Sequence, residues 1–244
     1  MSQAIIWLEN VSLEDEKVFL KEITLKIYPK EIYLLTGPTS AEKTALLRVC
    51  LGFTRPQKGK VYIGNYNFTT ATYSQLLEYR HKLQISYIAH TPILISNQSI
   101  LQNIIFPLKY HSPKDCNILK KAEEVINLFE LNGYEDKRPF ELSVEEKRRV
   151  EFARALITQP QIIFYNQPLE GFDMYFQQKL VEIIKQFSKK KTCTSIIATG
   201  INDYQQFMSI ADQIGILNHG QLLYSGSPEG LCACERPEIQ EFIK

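Results

Sequence analysis

The chain of 244 residues is long enough to bury one large hydrophobic core. Its 28 lysines and arginines nearly balance 27 aspartates and glutamates, so the formal charge of +1 excludes a strong global field that would attract nucleic acid or an anionic membrane. No run approaches the roughly 20 apolar residues of a membrane-spanning helix, and residues 1–10 lack the pattern of a signal peptide. We therefore expect a cytoplasmic protein.

Short apolar runs alternate with helical patterns along most of the chain. Strands are predicted at residues 4–8, 32–36, 61–63, 85–89, 162–165 and 195–199, and a hairpin at 214–225 is predicted to turn at Asn218, His219 and Gly220. Between 99 and 156 the pattern is helical and includes an amphipathic helix at residues 114–131. Strands that alternate with helices favour a mostly parallel sheet, so we expect one α/β domain with a helical insertion.

Five cysteines are scattered without a C-x-x-C pair: Cys50, Cys116, Cys193, Cys232 and Cys234. An odd number in a chain without a predicted signal peptide indicates free, mostly packed thiols. Cys232 and Cys234 are an alternative metal-binding pair, but no histidine lies near them in the sequence. We therefore predict no metal site.

A candidate phosphate-binding loop follows the strand at residues 32–36. The sequence GPTSAEKT at 37–44 leads into a helical run, which is the context in which G-x-x-x-x-G-K-[ST] binds phosphate through backbone N–H groups and a helix N-terminus. The candidate nucleotide-binding residues are Gly37, Ser40, Glu42, Lys43 and Thr44. Glu42 replaces the second glycine of the motif.

Glu42 brings an anion to the position where a polyanion would bind. At about 4 Å and an effective dielectric near 20, each pair of charges is worth roughly 4 kcal/mol, so repulsion would weaken nucleotide binding by orders of magnitude. We hypothesise that the Glu42 carboxylate instead occupies the anion site, held by Lys43 and the helix N-terminus. The alternative is a solvent-facing glutamate at the start of a helix.

Two further segments indicate a particular protein family more specifically than the candidate phosphate-binding loop does. LSVEEKRRVEFARAL at residues 142–156 resembles the signature segment of ATP-binding-cassette (ABC) ATPases, and FYNQPLEGFD at 164–173 resembles their Walker B and D-loop segment. The chain is thus similar to the ATP-binding subunits of ABC transporters. The resemblance implies a single domain, 1–244, with a P-loop NTPase (RecA-like) core at 1–90 and 157–244 and a helical subdomain at 91–156. It also implies N-terminal antiparallel strands beside a mostly parallel sheet.

Four positions at which the family carries hydrolysis residues are replaced here. Asn166 stands where an aspartate would hold the water shell of Mg²⁺, and Gln167 where a glutamate would polarise the attacking water. His90 stands at the position of the Q-loop glutamine, and Gly200 at that of the switch histidine. Amides keep the shape of carboxylates but lose their charge and basicity. The resemblance therefore implies that no catalytic residue is intact.

The signature and D-loop segments contribute the candidates Ser143, Val144, Glu145 and Asp173. Val144 and Glu145 replace two glycines that, in the family, let backbone N–H groups approach the γ-phosphate bound by the opposite subunit. The family also stacks an aromatic residue on adenine from a loop that corresponds to residues 13–17, and no aromatic residue is present there.

These replacements predict a degenerate nucleotide-binding subunit, or pseudo-ATPase, with no firm cofactor and with ATP and Mg²⁺ as weak ligands. One alternative is an ABC ATPase that hydrolyses ATP slowly with a displaced acid or base, for which His90, Glu145 and Glu170 are candidates. Another is a soluble regulatory ABC-fold binder outside transport.

Two segments bear on the type of ABC system. Residues 46–59 and 101–108 resemble importers and lipid-transport ABC ATPases. Gly171 and residues 209–212 resemble the Mla-type phospholipid transport ATPase, although amino-acid importer and cell-division ABC ATPases share much of this pattern. The resemblance therefore implies an ABC transporter subunit, with lipid transport as one candidate role.

The resemblance also implies partners. An integral-membrane permease would bind in a groove at residues 91–113, for which core packing is the alternative at each apolar position: Ile93, Leu94, Ile95, Ile104, Ile105 and Phe106. A second ABC subunit, either another copy or an active paralogue, would complete a dimer. We expect no nucleic-acid partner and a peripheral location on the cytoplasmic face of the inner membrane.

Overall fold

The computed structural model describes residues 3–15, 18–111, 116–191 and 193–243. The strands in chain order are β1 (Ile6–Asp15), β2 (Val18–Ile27), β3 (Ile32–Thr36), β4 (Lys58–Ile63), β5 (Tyr66–Asn67), β6 (Ile85–Ile88), β7 (Ile162–Asn166), β8 (Thr194–Thr199), β9 (Gln213–Asn218) and β10 (Gln221–Gly226). The α-helices are α1 (Ser40–Cys50), α2 (Tyr73–Lys82), α3 (Ile100–His111), α4 (Ile118–Leu128), α5 (Val144–Leu156), α6 (Met174–Lys191), α7 (Tyr204–Met208), α8 (Pro228–Cys232) and α9 (Pro237–Ile243).

The first sheet is antiparallel and has the order β2-β1-β4-β5. The predicted strand at 4–8 was too short, because β1 continues to Asp15 along β2, a strand that was not among the predicted positions. The β1–β2 pairing has register shifts between Leu8 and Val11 and between Val11 and Leu13. Such irregularities interrupt the two-residue alternation from which a strand is recognised in a sequence.

The second sheet has the order β10-β9-β3-β8-β7-β6, and its strands from β9 to β6 are parallel. The central strand β3 is buried over its whole length. Leu34 packs in one core cluster and Leu35 in the other, because successive side chains point to opposite faces of a sheet. Full burial of such a leucine side chain is worth about 1.5–3 kcal/mol. The strand that precedes the GPTSAEKT loop is therefore firmly held.

The predicted hairpin at 214–225 is confirmed as β9 and β10. Its two turn residues, His219 and Gly220, have φ angles of 47° and 70°, as a two-residue turn with a left-handed backbone requires. A Cβ atom on Gly220 would lie 2.5 Å from the Phe19 carbonyl oxygen. The turn thus needs glycine both for its backbone angle and for its close approach to β2.

The segment between β6 and β7 is helical and contains α3, α4 and α5. The predicted helix at 114–131 is observed as α4, Ile118–Leu128, and Lys114 lies outside the described residues. The helix ends before Glu130, whose φ of 54° is left-handed and cannot continue an α-helix. Ser143 and Glu146 form a capping box that starts α5, with Glu146 N 3.2 Å from Ser143 Oγ and Ser143 N 2.7 Å from Glu146 Oε2.

Two hydrophobic clusters cover the two faces of the parallel sheet. One lies toward the helical segment and α6 and includes Ile104, Phe152 and Phe176; the other lies toward α1 and the antiparallel sheet and includes Leu8 and Leu46. Within the described parts of the chain, every helix is too short or too polar to span a bilayer.

Candidate functional site

The candidate site lies at the carboxyl ends of the parallel strands, where open α/β sheets bind their ligands. The GPTSAEKT loop follows β3, Asn166 is the last residue of β7, Gly200 follows β8, and His90 comes two residues after β6. These strands are neighbours in one sheet, so the fold brings the loop and the replaced positions to one edge.

The loop after β3 is closed on itself by Lys43. The Lys43 ammonium is buried and donates to the carbonyl oxygens of Gly37 at 2.5 Å and Thr39 at 3.1 Å. Burial lowers the pKa of Lys43 to about 8, and the nearby Glu42 charge opposes that shift. Two of the three hydrogen-bond donors of the Lys43 ammonium are therefore occupied by carbonyl oxygens of the loop itself.

Glu42 is buried on the first turn of α1, so the solvent-facing alternative is wrong. The prediction that Lys43 holds the Glu42 carboxylate is also wrong in its contacts: among the described residues, the Lys43 ammonium donates to the Gly37 and Thr39 carbonyls and not to Glu42. Glu42 Oε2 is buried and accepts no hydrogen bond from any described residue. The reason is that the Lys43 ammonium is directed to the loop carbonyls instead.

Asn166 connects the end of β7 to the start of α1. Its Nδ2 lies 3.1 Å from Thr44 Oγ1 and 3.3 Å from the Tyr87 hydroxyl, and Thr44 Oγ1 lies 3.3 Å from Asn166 Oδ1. Mg²⁺ prefers oxygen ligands that include carboxylates, whereas the groups gathered here are an amide and two hydroxyls that bond to one another. This set of residues does not fit a Mg²⁺ ion.

Gln167 connects three segments of the site. Its Nε2 donates to Ser40 Oγ at 3.2 Å, and its Oε1 accepts from the backbone N–H of Gly200 at 3.2 Å. The residue has a left-handed φ of 52°, while its own N–H donates to the Ala198 carbonyl at 2.8 Å. The neutral amide is satisfied at both ends and cannot accept a proton at neutral pH. Gln167 thus connects the GPTSAEKT loop, β7 and the segment after β8 by hydrogen bonds.

His90 and Glu170 form a partly exposed pair, with His90 Nε2 2.6 Å from Glu170 Oε2. The third proposed acid or base, Glu145, lies elsewhere and pairs with Arg149 one helical turn along α5. The structure therefore brings together two of the three displaced acid–base candidates.

Arg148 was not among the sequence candidates. Its guanidinium is buried and donates to four carbonyl oxygens, those of Ala89 at 3.2 Å, His90 at 2.5 Å, Gln167 at 2.8 Å and Pro168 at 3.5 Å. Burial lowers its pKa, and an arginine remains charged at neutral pH. Arg148 thus fixes α5 to the ends of β6 and β7. In the charged run EEKRRVE the sequence gives no signal that distinguishes a buried arginine from an exposed one.

The remaining sequence candidates lie at helix starts. Ser143 caps α5, and Val144 is 66% exposed beside it. Asp173 Oδ1 accepts from the Phe176 N–H at 2.7 Å at the start of α6. Of residues 13–17, Glu16 and Lys17 lie outside the described residues. Among the described residues no group of three or more metal-binding side chains is present.

The strand, loop and helix at 32–50 and the sheet order around them define a P-loop NTPase fold. The protein-family model that is described as "ABC transporter" matches residues 20–170, which is more than half of the chain. The chain therefore belongs to the family of ABC transporter ATP-binding domains.

Two of the proteins to which the chain is similar in sequence are import ATP-binding proteins. The chain is 29% identical to the spermidine/putrescine import ATP-binding protein PotA of Acetivibrio thermocellus over 93% of its length, and it spans 62% of that protein. It is 25% identical to the molybdate/tungstate import ATP-binding protein WtpC of Thermococcus kodakarensis over 98% of its length and spans 69% of it. The chain thus covers roughly two thirds of the relatives that it matches.

Solved structures confirm the predicted fold class. The dimeric ATP-binding cassette MJ0796 bound to ADP and Pi superposes with a TM-score of 0.82 at 24% identity, over 91% of this chain and 98% of the other. The cassette cbiO1 from Clostridium perfringens, part of the ABC transporter complex cbiONQ, superposes with a TM-score of 0.81 at 21% identity, over 98% and 94%. At these identities the likeness concerns the fold alone.

Proposed function

We propose that this chain is a pseudo-ATPase subunit of an ABC transporter, which binds a membrane permease at the cytoplasmic face without hydrolysing ATP. The proposal rests on two amide side chains that bond to the GPTSAEKT loop. Asn166 is hydrogen-bonded to Thr44, and Gln167 is hydrogen-bonded to Ser40. Neither amide can hold a metal as a carboxylate does or take a proton from water. The loop is thus stabilised by the protein itself.

Electrostatics supports the same proposal. The Glu42 carboxylate lies buried on the first turn of α1, the end of a helix that would otherwise attract phosphate. The Lys43 ammonium already donates to Gly37 and Thr39. A nucleotide would have to displace these contacts and also overcome the repulsion from Glu42.

A cleft of about 780 Å³ between α2, β6, α3 and α5 is the surface that we propose for the permease. Of the described residues in the groove expected at 91–113, Pro107 and Leu108 line this cleft. Ile104 and Ile105 are instead buried in the core, whereas Ile93 and Phe106 are exposed outside the cleft. The opposite wall carries Leu77, which is 48% exposed. The cleft combines apolar residues such as Leu77 and Pro107 with charged ones such as Glu78 and Arg80, and a mixed lining of this kind suits an amphipathic helix.

The relatives favour a particular transport role. PotA and WtpC are named as import proteins, so we propose that the partner permease belongs to an importer of a small solute. A role in lipid transport of the Mla type rests on the resemblance of short segments only. If the dimer partner is an active paralogue, that subunit would supply the hydrolysis, whereas a dimer with a second copy of this chain would hydrolyse no ATP.

Equilibrium titration of the purified chain with a fluorescent ATP analogue, with and without Mg²⁺, tests the nucleotide part of the proposal. We expect no saturable binding below millimolar concentration in the wild type and measurable binding in Glu42→Gly, in which the buried anion is removed. Micromolar, Mg²⁺-dependent binding by the wild type would contradict the proposal.

The permease part is tested by co-purification of a tagged chain from membranes of its native cell. Leu77→Asp places a charge on the cleft wall and should abolish recovery of the permease. The matched control is Leu119→Asp on α4, where the leucine is 68% exposed and lies outside the cleft. Equal loss in both variants, or in neither, would argue against docking at the cleft.

The pairing of His90 with Glu170 supports a second candidate, a slow hydrolase in which this pair acts as the base. Phosphate release measured in wild type, Glu170→Gln and Lys43→Ala distinguishes the two. The pseudo-ATPase predicts equal background release in all three, whereas the slow hydrolase predicts release in the wild type only.

A further inference from the structure

Arg80 lines the cleft from α2, three residues after Leu77, and its guanidinium has no hydrogen bond or ion pair with any described residue. Of its three nitrogens only Nε is closed to solvent, and the side chain as a whole is half-buried. A guanidinium carries five N–H donors, so Arg80 keeps unused donors at the edge of a space of about 780 Å³. A group from outside the chain can therefore reach this residue.

Phe53 holds the Arg80 guanidinium in position. Cζ of Arg80 lies 4.9 Å from the centroid of the Phe53 ring, in a cation–π contact. Phe53 packs in turn against Tyr87, which also lines the cleft, with ring centroids 6.0 Å apart at an angle of 67°. A stacked guanidinium has less freedom to lose when it forms a further bond. Arg80 is thus oriented before any partner binds.

The other charges of the cleft leave Arg80 without a carboxylate. Glu78 on the same helix pairs with Lys82 at 2.5 Å. Glu151 on the opposite wall lies near Arg154, and burial raises the pKa of Glu151 to about 7, so it is partly neutral at neutral pH. Burial also lowers the pKa of Arg80, because its charge is partly removed from water. An anion beside Arg80 would offset that cost.

The geometry of the guanidinium indicates which anion fits. Its planar fork matches the two oxygens of a carboxylate, with two parallel hydrogen bonds between opposite charges. A neutral acceptor would supply hydrogen bonds but leave the charge of Arg80 uncompensated. On an unmodified protein helix, the side chains that offer such an anion are Asp and Glu.

We propose that Arg80 is the residue by which the cleft recognises its helical partner, and that it binds the carboxylate of an Asp or Glu on the face of that helix that enters the cleft. This inference rests on the proposed function, because the partner is the permease segment that docks there. Leu77 and Arg80 are neighbours on one face of α2, about 4.5 Å apart along its axis. The acidic residue should therefore lie about one helical turn from an apolar residue that packs on Leu77.

The experiment uses stapled helical peptides of about 16 residues, roughly 24 Å long, with leucines at positions i, i+3 and i+7. The first peptide has Glu at i+4 and Gln on the opposite face. The second exchanges these two residues and so keeps the same composition and net charge, and the third has Lys at i+4. Binding to the full chain is measured by calorimetry at low and high salt. We expect the first peptide to bind roughly tenfold more tightly than the second at low salt, and the third to bind most weakly. The preference should shrink at high salt.

Variants separate a direct contact from a general effect of charge. Arg80→Gln should abolish the preference for Glu at i+4, and Arg80→Lys should keep only part of it, because lysine lacks the planar fork. The matched control is Lys120→Gln, which removes one positive charge from α4 outside the cleft and should leave the preference unchanged.

The outcomes distinguish the inference from the proposed function. Equal binding of the first two peptides, or a preference that survives in Arg80→Gln, would overturn the role of Arg80 and leave cleft docking intact. An equal loss of preference in Arg80→Gln and Lys120→Gln would also overturn it, because net charge alone would then explain the binding. Binding of none of the peptides would overturn cleft docking as well.

Discussion

Asn166 and Thr44 satisfy each other across the candidate site, with Asn166 Nδ2 3.1 Å from Thr44 Oγ1. An amide can do this because it offers a donor and an acceptor within one planar group, and Thr44 Oγ1 also lies 3.3 Å from Oδ1 of the same residue. The pair therefore needs no ion to complete its hydrogen bonding. A carboxylate in place of the amide would have no donor for the hydroxyl oxygen.

The Asn166→Asp variant follows from this pair. Asn166 is only 1% exposed, so the aspartate would be a buried, unpaired charge, and we expect a loss of about 2 kcal/mol in the free energy of unfolding. Millimolar Mg²⁺ should recover part of that loss because the ion would bind the folded variant. Urea unfolding with and without Mg²⁺ measures both effects. An equal Mg²⁺ effect on the wild type would show that the amide site already binds the ion.

Gln167→Leu should weaken the connection between the GPTSAEKT loop and the segment after β8. The variant loses the hydrogen bonds to Ser40 and to Gly200, each worth about 1 kcal/mol. Amide hydrogen exchange at Gly200 should become faster by about tenfold. The matched control is Gln177→Leu, which loses three side-chain hydrogen bonds, to Leu169, Phe172 and Gln206. Faster exchange at Gly200 in both variants would refute a local role for Gln167.

Arg148→Met should be among the most destabilising substitutions in the chain. Four carbonyl oxygens would lose their donor, and we expect a cost of about 3–5 kcal/mol. Arg148→Lys should recover little, because a lysine lacks the planar fork that reaches both strand ends. Thermal and urea unfolding measure the effect. A lysine variant of wild-type stability would mean that the charge, rather than the forked geometry, holds α5 in place.

Glu151 predicts a pH dependence of stability. Its pKa is raised from 4.5 to about 7 by burial, so between these values the folded chain binds more protons at this group than the unfolded chain. The contribution of Glu151 to stability therefore falls as pH rises from 4.5 through 7. Glu151→Gln removes this dependence, and its gain over the wild type should grow to at most roughly 3 kcal/mol at pH 7.5. A gain that is constant from pH 4.5 to 7.5 would contradict the assignment.

Gly37→Ala tests the geometry of the loop after β3. Gly37 has a φ of 156°, and an added Cβ would lie 1.9 Å from the Leu217 carbonyl oxygen, which is backbone and cannot rotate away. We expect a loss of roughly 3 kcal/mol or more in unfolding free energy. Gly133→Ala is the control, because its φ of 82° is also positive but nothing lies within 4 Å of its Cβ position. Its cost should be only about 1–2 kcal/mol.

The sequence was sufficient for the fold class because two signals are local. A buried strand followed by GPTSAEKT and a helix indicates the P-loop context, and the turn at His219 and Gly220 indicates the terminal hairpin. Strand β2 escaped prediction because bulges in its pairing with β1 blur the alternation of apolar and polar residues. The end of α4 was placed too late because Leu131 continues the apolar pattern past the left-handed Glu130.

The candidate site was only partly predictable, for a different reason. Asn166, Gln167 and His90 were found because each occupies a fixed place in a recognisable segment. The partners that these residues bond to, including Tyr87 and Arg148, depend on side-chain directions across the sheet edge. Sequence spacing does not determine such directions. The Lys43 ammonium illustrates this, because the sequence suggested Glu42 as its partner and the loop carbonyls are closer.

Arg148 and Glu151 are three residues apart on α5 and so share one side of the helix, about 4.5 Å apart along its axis. Less than one helical turn therefore separates Glu151 at the cleft wall from Arg148. Arg148 in turn holds the ends of β6 and β7, because its guanidinium donates to the carbonyls of both His90 and Gln167. The cleft wall and the ends of β6 and β7 are therefore connected through less than one turn of a single helix.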